Sequence, residues 1–195
     1  MFSFYPIAGI VLSYFIGNIS PAILIGKMAG IDIRNQGSGN AGSTNVLRVL
    51  GKKAAAATFV IDVLKGAVAV LIGNYIGGTE VAMACGAAAF VGHIWPLIFG
   101  FKGGKGIATA FGVIVALEPG LGLLMAAIAL SVIAISRRVS VGSVVAILLL
   151  PLVAYFFDPI YVLWSAFMAV IALIKHRSNI RRLFRGEEPK ISFKK

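Results

Sequence analysis

The sequence predicts an all-α integral membrane protein: a bundle of seven transmembrane helices, amino terminus outside and carboxyl terminus in the cytoplasm. Three observations lead there. Hydrophobic residues make up 59% of the 195 positions and charged residues only 13%, against about 25% charged in a soluble domain. The apolar residues form long runs separated by short polar breaks, the pattern of membrane spans. The 18 Lys and Arg residues gather at the ends of those runs, as the positive-inside rule expects.

A helix needs about 20 apolar residues to cross a bilayer, and the runs follow in order. The first is Phe4 to Met28. Its first basic residue, Lys27, comes after the apolar stretch, so it is expected to be a retained span and not a cleaved signal. The second run is Ala54 to Ile76 and the third is Val81 to Phe101. Gly106 to Ser136 follows, interrupted by Glu118-Pro119-Gly120. Charge resolves that stretch into two short spans. As a hairpin it leaves the basic residues on or near one side and Glu80, Glu118 and Asp158 on the other. Pro-Gly is also a natural turn. The first half, Ile107 to Leu117, is short, so it has to tilt, sit deep in the bundle or thin the membrane. Val141 to Phe157 and Ile160 to Ile174 complete the set. Residues 1–195 are expected to form a single polytopic domain, without internal repeat or soluble module. Cys85 is the only cysteine and lies in an apolar run, so it implies a small buried side chain and no disulfide framework.

The net charge of +11 does not indicate a nucleic-acid partner, because the cations sit at span ends and not along one soluble face. Nearly all the polar chemistry lies in three connections and the tail: Ile31 to Lys53, Lys102 to Lys105, Ser136 to Ser140, and Lys175 onward. In the first, Gly37-Ser38-Gly39-Asn40-Ala41-Gly42 satisfies G-x-G-x-x-G, and Asp62 lies downstream as a dinucleotide site would want. That fingerprint needs a strand before it and a parallel sheet around it, and here Asp62 falls inside an apolar helix. The physical content survives. Glycines let backbone N–H groups approach an anion. Ser38, Asn40, Thr44 and Asn45 add side-chain donors, and Arg48 adds a forked cation suited to phosphate. Val46-Leu47-Arg48 marks the start of a helix, which a flexible linker would not need.

Phe101-Lys102-Gly103-Gly104-Lys105-Gly106 is not a Walker A loop, but it sets lysine between glycines at a helix start, a good phosphate position. His93 precedes it inside the third span, where an ionisable side chain is either functional or a hydrogen-bonded core group. Asp62 and Lys65 lie one turn apart and are expected to neutralise each other. Ser140 and Ser143 are a cap or a serine pair facing phosphate. His176 and Asn179 share a helix face in an otherwise basic tail that suits anionic lipid. Carboxylates are scarce on this side, only Asp32, Asp62, Glu187 and Glu188, which argues against a carboxylate-bound metal and for direct binding of one or two phosphates.

The stretches GSGNAGSTNVLRVLGKK, DVLKG, GHIWPLIFGFKGGKGIATAFG and KHRSNIRRL resemble the bacterial acyl-phosphate:glycerol-3-phosphate acyltransferase family of the PlsY type. The resemblance implies seven helices in the bacterial inner membrane and an active site facing the cytoplasm. It implies that a fatty acyl group passes from acyl phosphate to the 1-hydroxyl of glycerol 3-phosphate. Lysophosphatidic acid and inorganic phosphate result, as the first step of phospholipid synthesis, with a functional link to the enzyme that forms acyl phosphate. By similarity, Ser38, Arg48, Lys105, His176 and Asn179 are the catalytic positions. Gly37, Gly39, Gly103 and Gly104 would present N–H groups, and Asn40, Thr44, Asn45, Ser140, Ser143 and His93 would line the phosphates. No metal or cofactor is implied. The His-x-x-x-x-Asp pattern of other acyltransferases is absent, since Ile98 stands fifth after His93. Two other functions are weighed against this one. A transporter of organic phosphate or lysolipid would want polar residues near the midplane and an internal repeat. A metal-dependent phosphotransferase would want clustered aspartates.

Overall fold

The structure, a computed structural model, describes residues 4–191. Eight helices occur among them: α1 Phe4–Asn18, α2 Pro21–Met28, α3 Ser43–Leu50, α4 Lys52–Ile94, α5 Ile107–Leu117, α6 Pro119–Ser136, α7 Val139–Phe157 and α8 Ile160–Phe184. No strand occurs among the described residues. Five helical stretches are long and apolar enough to cross a membrane: Phe4–Met28, Lys52–Phe99, Pro119–Ser136, Val139–Phe157 and Ile160–Phe184. Large apolar side chains such as Leu12, Leu64, Leu71, Leu148 and Leu163 are exposed, an outer surface suited to hydrocarbon. The helices fall into two compact units that join in sequence at Leu117–Glu118.

In the first unit, α1 and α2 would be one helix but for Pro21, which takes the first helical position of α2 and has no N–H to donate. Helix α4 is the spine. Its residues Gly77 and Gly78 leave helical geometry, Gly78 with φ of +72°, a region glycine enters at little cost. The break folds the helix back on itself. Asp62 meets His93, and Gly73 lies against Ala82, so residues 52–76 and 79–94 run antiparallel. The sequence places two spans here, the second reaching Phe101. The helix stops earlier, at Ile94, because Pro96 cannot donate to a continuing ladder.

Close approach of the helices depends on small residues. Gly112 of α5 faces the Val63 carbonyl, and Gly92 of α4 faces the Tyr14 carbonyl of α1, each with no room for a side chain. Tyr14 then donates its hydroxyl to the Trp95 carbonyl at 2.8 Å, fixing α1 at the point where α4 ends.

In the second unit, α7 packs against both α6 and α8. Helix α6 opens at Pro119, with the Glu118 side chain accepting from the Gly120 amide at 3.3 Å. It closes on Arg137 in the left-handed region, φ +57°. Helix α8 runs well past the apolar run, to Phe184, so His176 and Asn179 are helical and both buried. The chain beyond α8 returns to that corner, where Ile191 donates its amide to the Arg137 carbonyl at 2.7 Å.

Gly112→Ala sets a methyl group against the Val63 carbonyl. Overpacking of this kind costs about 1–3 kcal/mol, so thermal unfolding in detergent should shift down by several degrees. An unchanged midpoint would mean that α4 and α5 are not in such close contact.

Candidate functional site

The first polar loop is held by its own side chains. Asp32 caps the short 3-10 turn Ile33–Asn35, accepting from the Arg34 amide at 3.0 Å. The Arg34 guanidinium grips the same carboxylate through Nε at 2.9 Å and Nη2 at 2.8 Å. These bonds hold the Asp32 carboxyl down at about 2. The Nη1 of Arg34 reaches on to donate to the Phe99 carbonyl at 3.2 Å, tying this loop to the segment that leads into the glycine turn.

Asn45 is the second fastening. Its Nδ2 donates to the carbonyls of Ile33 at 3.1 Å and Gln36 at 2.9 Å, while its Oδ1 accepts from the Ser38 amide at 2.8 Å. Gly37 must be glycine twice over: its φ is +59°, and a Cβ there would collide with Asn45 Oδ1. The result is a tight loop that leaves the Ser38 side chain exposed and carries Asn40 and Thr44 half-buried beside it. Arg48 stands exposed on α3, with no partner among the described residues.

The glycine turn is folded against the end of α4. Gly103 donates its amide to the Ile94 carbonyl and Gly104 to that of His93, both at 3.2 Å. A Cβ on Gly104 would press on His93 Nε2 and stand 2.8 Å from the Ala41 carbonyl. Ala41 belongs to the Ser38 loop, so the loop, the turn carrying Lys105 and the His93 ring meet at one place. Behind that place lies a buried polar cluster. Lys65 Nζ is 2.7 Å from Asp62 Oδ1, 2.8 Å from His93 Nδ1 and 2.7 Å from the Ile19 carbonyl. The Ile19 carbonyl lies at the break between α1 and α2, and Lys65 supplies its donor.

The second unit has a polar centre of its own, built on Glu188. This carboxylate is 4% exposed. Its Oε1 accepts from Ser140 Oγ at 2.7 Å and Asn179 Nδ2 at 2.6 Å, and its Oε2 from Arg182 Nε at 2.7 Å. Arg138 Nε donates to the Glu188 carbonyl at 2.9 Å. Burial by itself would raise the carboxyl, but the bonds from Ser140, Asn179 and Arg182 outweigh it and hold Glu188 below the ordinary glutamate value. On the same helix, His176 Nδ1 lies 2.7 Å from the Ala172 carbonyl. A carbonyl only accepts, so this nitrogen carries a proton.

Several expectations from the sequence therefore change. Asn45 cannot offer its amide to a phosphate, since both hydrogens are committed to loop carbonyls. The amides of Gly39, Gly103 and Gly104 are likewise spent on Gln36, Ile94 and His93; the role of Gly103 and Gly104 is to provide room. Among the described residues the Gly37 and Asn40 amides keep no internal partner. Ser140 donates to Glu188, and Ser143 donates to the Val139 carbonyl at 3.0 Å, so the pair does not present two hydroxyls to an anion. The pairing of Asp62 with Lys65 is present, and His93 joins it. Glu188 and Arg34 went unassigned from sequence; the one signal was the acidic pair Glu187-Glu188 in a basic tail. Among the described residues, no three His, Cys, Asp or Glu side chains group to hold a metal ion.

Known proteins match this chain over nearly its whole length. The family model described as glycerol-3-phosphate acyltransferase matches residues 7–186. A glycerol-3-phosphate acyltransferase of Thermoanaerobacter sp. (strain X514) is 47% identical over 194 residues, covering 97% of this chain and 98% of that protein. One of Clostridioides difficile (strain 630) is 44% identical over 203 residues, covering 100% and 98%. A crystal structure of PlsY (YgiH), an integral membrane glycerol 3-phosphate acyltransferase in its glycerol 3-phosphate form, superposes with a TM-score of 0.92 at 35% identity, covering 96% of each chain. Its lysophosphatidic acid form gives 0.89 at 34% identity.

Two measurements check the two fastenings. Asn45→Ala removes three loop hydrogen bonds, to Ile33, Gln36 and the Ser38 amide, at about 0.5–1.5 kcal/mol each, and should lower the unfolding midpoint together with activity. Glu188 has a lowered folded pKa, so its stabilisation is present above its ordinary value of 4.5 and is lost as pH falls through the lower folded value. Glu188→Gln should thus unfold at lower temperature at pH 7 and show a flatter midpoint-against-pH curve in acid. Parallel curves for the two proteins would refute the assignment.

Proposed function

We propose that this chain, which belongs to the glycerol-3-phosphate acyltransferase family, takes its acyl group from an acyl phosphate and delivers it to the 1-hydroxyl of glycerol 3-phosphate. Membership makes it a membrane acyltransferase with glycerol 3-phosphate as acceptor. The donor, the residue roles and the topology are our reading. The observation that supports it most is the meeting of the Ser38 loop, the Lys105 turn and the His93 ring at Gly104, a corner rich in donors and cations.

In this reading Arg48 and Lys105 neutralise phosphate charge, and Ser38 and the Gly37 and Asn40 amides add hydrogen bonds. Thr44 and His93 line the same corner. His176 and Asn179 orient glycerol 3-phosphate, Asn179 being held in place by Glu188. The acceptor's 1-hydroxyl oxygen attacks the acyl carbonyl carbon, and the bond from that carbon to the phosphate oxygen breaks. The hydroxyl proton passes to an oxygen of the departing phosphate. Lysophosphatidic acid and inorganic phosphate are the products. A mixed anhydride has a good leaving group, so alignment and charge neutralisation carry most of the catalysis. The reading assigns no metal and no cofactor.

The break in α4 and the interruption at Glu118 support seven crossings by one polytopic unit. The positive-inside rule puts the amino terminus outside and the basic loops in the cytoplasm. The membrane is then the bacterial inner membrane, where an acyl-phosphate-forming enzyme would supply the donor at the first step of phospholipid synthesis. Family membership gives the transporter alternative no support.

The purified full-length protein, given palmitoyl phosphate and glycerol 3-phosphate with chelator present, should release phosphate and form lysophosphatidic acid in equal amounts. Product from palmitoyl-CoA but not from palmitoyl phosphate would overturn the donor assignment. Arg48→Ala and Ser38→Ala should each lower kcat/KM by about 10²-fold or more, the scale for removing a donor to developing charge. His176→Ala should keep the shape of the wild-type pH profile if the donor phosphate takes the proton. Loss of the acid limb, where a general base is protonated, would make His176 the base.

A further inference from the structure

The cluster behind Gly104 is almost fully enclosed: Asp62 is 1% exposed, Lys65 4% and His93 5%. An ammonium group has three N–H bonds and no acceptor. Three acceptor positions surround Lys65 Nζ within 2.8 Å: Asp62 Oδ1, His93 Nδ1 and the Ile19 carbonyl. A carboxylate stands 2.7 Å from the amine and favours its charged form. The charged lysine therefore donates to all three, and the cluster as a whole is neutral. That is the arrangement a low-dielectric interior tolerates best.

The consequence falls on the histidine. His93 Nδ1 also lies 3.1 Å from Asp62 Oδ1, and taken alone that contact would favour a proton on Nδ1. The shorter contact to Lys65 opposes it, because a Lys65 N–H and an Nδ1–H would then face each other at 2.8 Å, whereas an unprotonated Nδ1 lets the ammonium bridge it and Asp62. The ring proton is then on Nε2, the atom that abuts Gly104.

We infer that Lys65 and Asp62 are positioning residues for the acyl-transfer site: they fix His93 as the neutral Nε2–H tautomer, so that its N–H is aimed at the Gly103–Gly104–Lys105 turn as a donor to phosphate. This rests on the proposal that the turn binds a substrate phosphate. Asp62 and Lys65 touch no substrate; they act through the ring. The phosphate is that of glycerol 3-phosphate or of the acyl phosphate, and the two share the chemistry a ring N–H recognises.

The test begins with the unaltered protein. The full chain, labelled with 15N-histidine in detergent micelles, has two histidines, and a His176→Ala spectrum assigns them. His93 should show a protonated Nε2 and an unprotonated Nδ1 at neutral pH, and inorganic phosphate should shift the Nε2 resonance. A protonated Nδ1, or an Nε2 indifferent to phosphate, would overturn the inference. Lys65→Met should then move the proton to Nδ1, which turns to Asp62. With it the KM for one of the two substrates, each varied separately, should rise by about 10-fold or more, the worth of one hydrogen bond to a charged group, while kcat changes less. A folded Lys65→Met protein with the proton moved and both KM values unchanged would refute it. If that variant does not fold, the wild-type spectrum and the phosphate titration still decide. Failure here leaves product formation from palmitoyl phosphate untouched, so the two claims stand or fall apart.

Discussion

The first unit depends on one ammonium group. Lys65 Nζ joins the first arm of α4 at Asp62, the second arm at His93 and the end of α1 at the Ile19 carbonyl. Each acceptor would be costly alone in a hydrocarbon-surrounded bundle. Asp62 is a buried charge, and the Ile19 carbonyl lies at a helix interruption beside Pro21. One donor group satisfies all three, so helix breaks and a buried charge that would otherwise destabilise the unit become its point of registration. Removing the lysine would take the donor from the Ile19 carbonyl and leave Asp62 to His93 alone, and breaking a buried pair costs far more than the pair contributes.

The second unit uses the same logic with the sign reversed. Glu188 is an acceptor whose two oxygens draw together Ser140 at the start of α7 and Asn179 and Arg182 on α8. Its carbonyl and that of Arg137 anchor the chain beyond α8 to the α6–α7 corner. Helices bound mainly by contacts between apolar side chains gain little in lipid from the hydrophobic effect. A shared, fully bonded polar group at one end supplies the geometric specificity that such contacts lack.

Much of this was legible in the sequence, and what was not has a common cause. Apolar run length located the helices, the gap between the runs ending at Ile76 and starting at Val81 located the fold-back of α4, and Pro119 located the start of α6. The helix beginning at Ser43 was visible in Val46-Leu47-Arg48. The Asp62 and Lys65 spacing gave their pairing. Residue type declares that Asn45, Ser140, Ser143 and the glycine amides can donate. It does not declare whether a donor is already consumed, because that depends on which acceptor the folded chain brings alongside, such as the Ile94 carbonyl for Gly103 or the Glu188 carboxylate for Ser140. Glu188 was hidden for the same reason: its partners lie 6, 9 and 48 residues away, and no local period links them.

That consumption of donors bears on how the proposed chemistry works. A loop of unspent amides would have to be ordered by its substrate, and each residue fixed at that moment subtracts about 1–2 kcal/mol from binding. Here Asn45, Arg34 and the Gly103 and Gly104 bonds order both segments during folding. In the proposed mechanism, substrate charge then meets cations and hydroxyls mounted on a frame that is already set. Acyl phosphate is reactive enough to need little acid–base assistance, so the gain open to such an enzyme is alignment of a hydroxyl with a carbonyl carbon under fixed charge. A rigid frame with few mobile donors answers that need better than a flexible nest, which would bind both phosphates and hold neither in line.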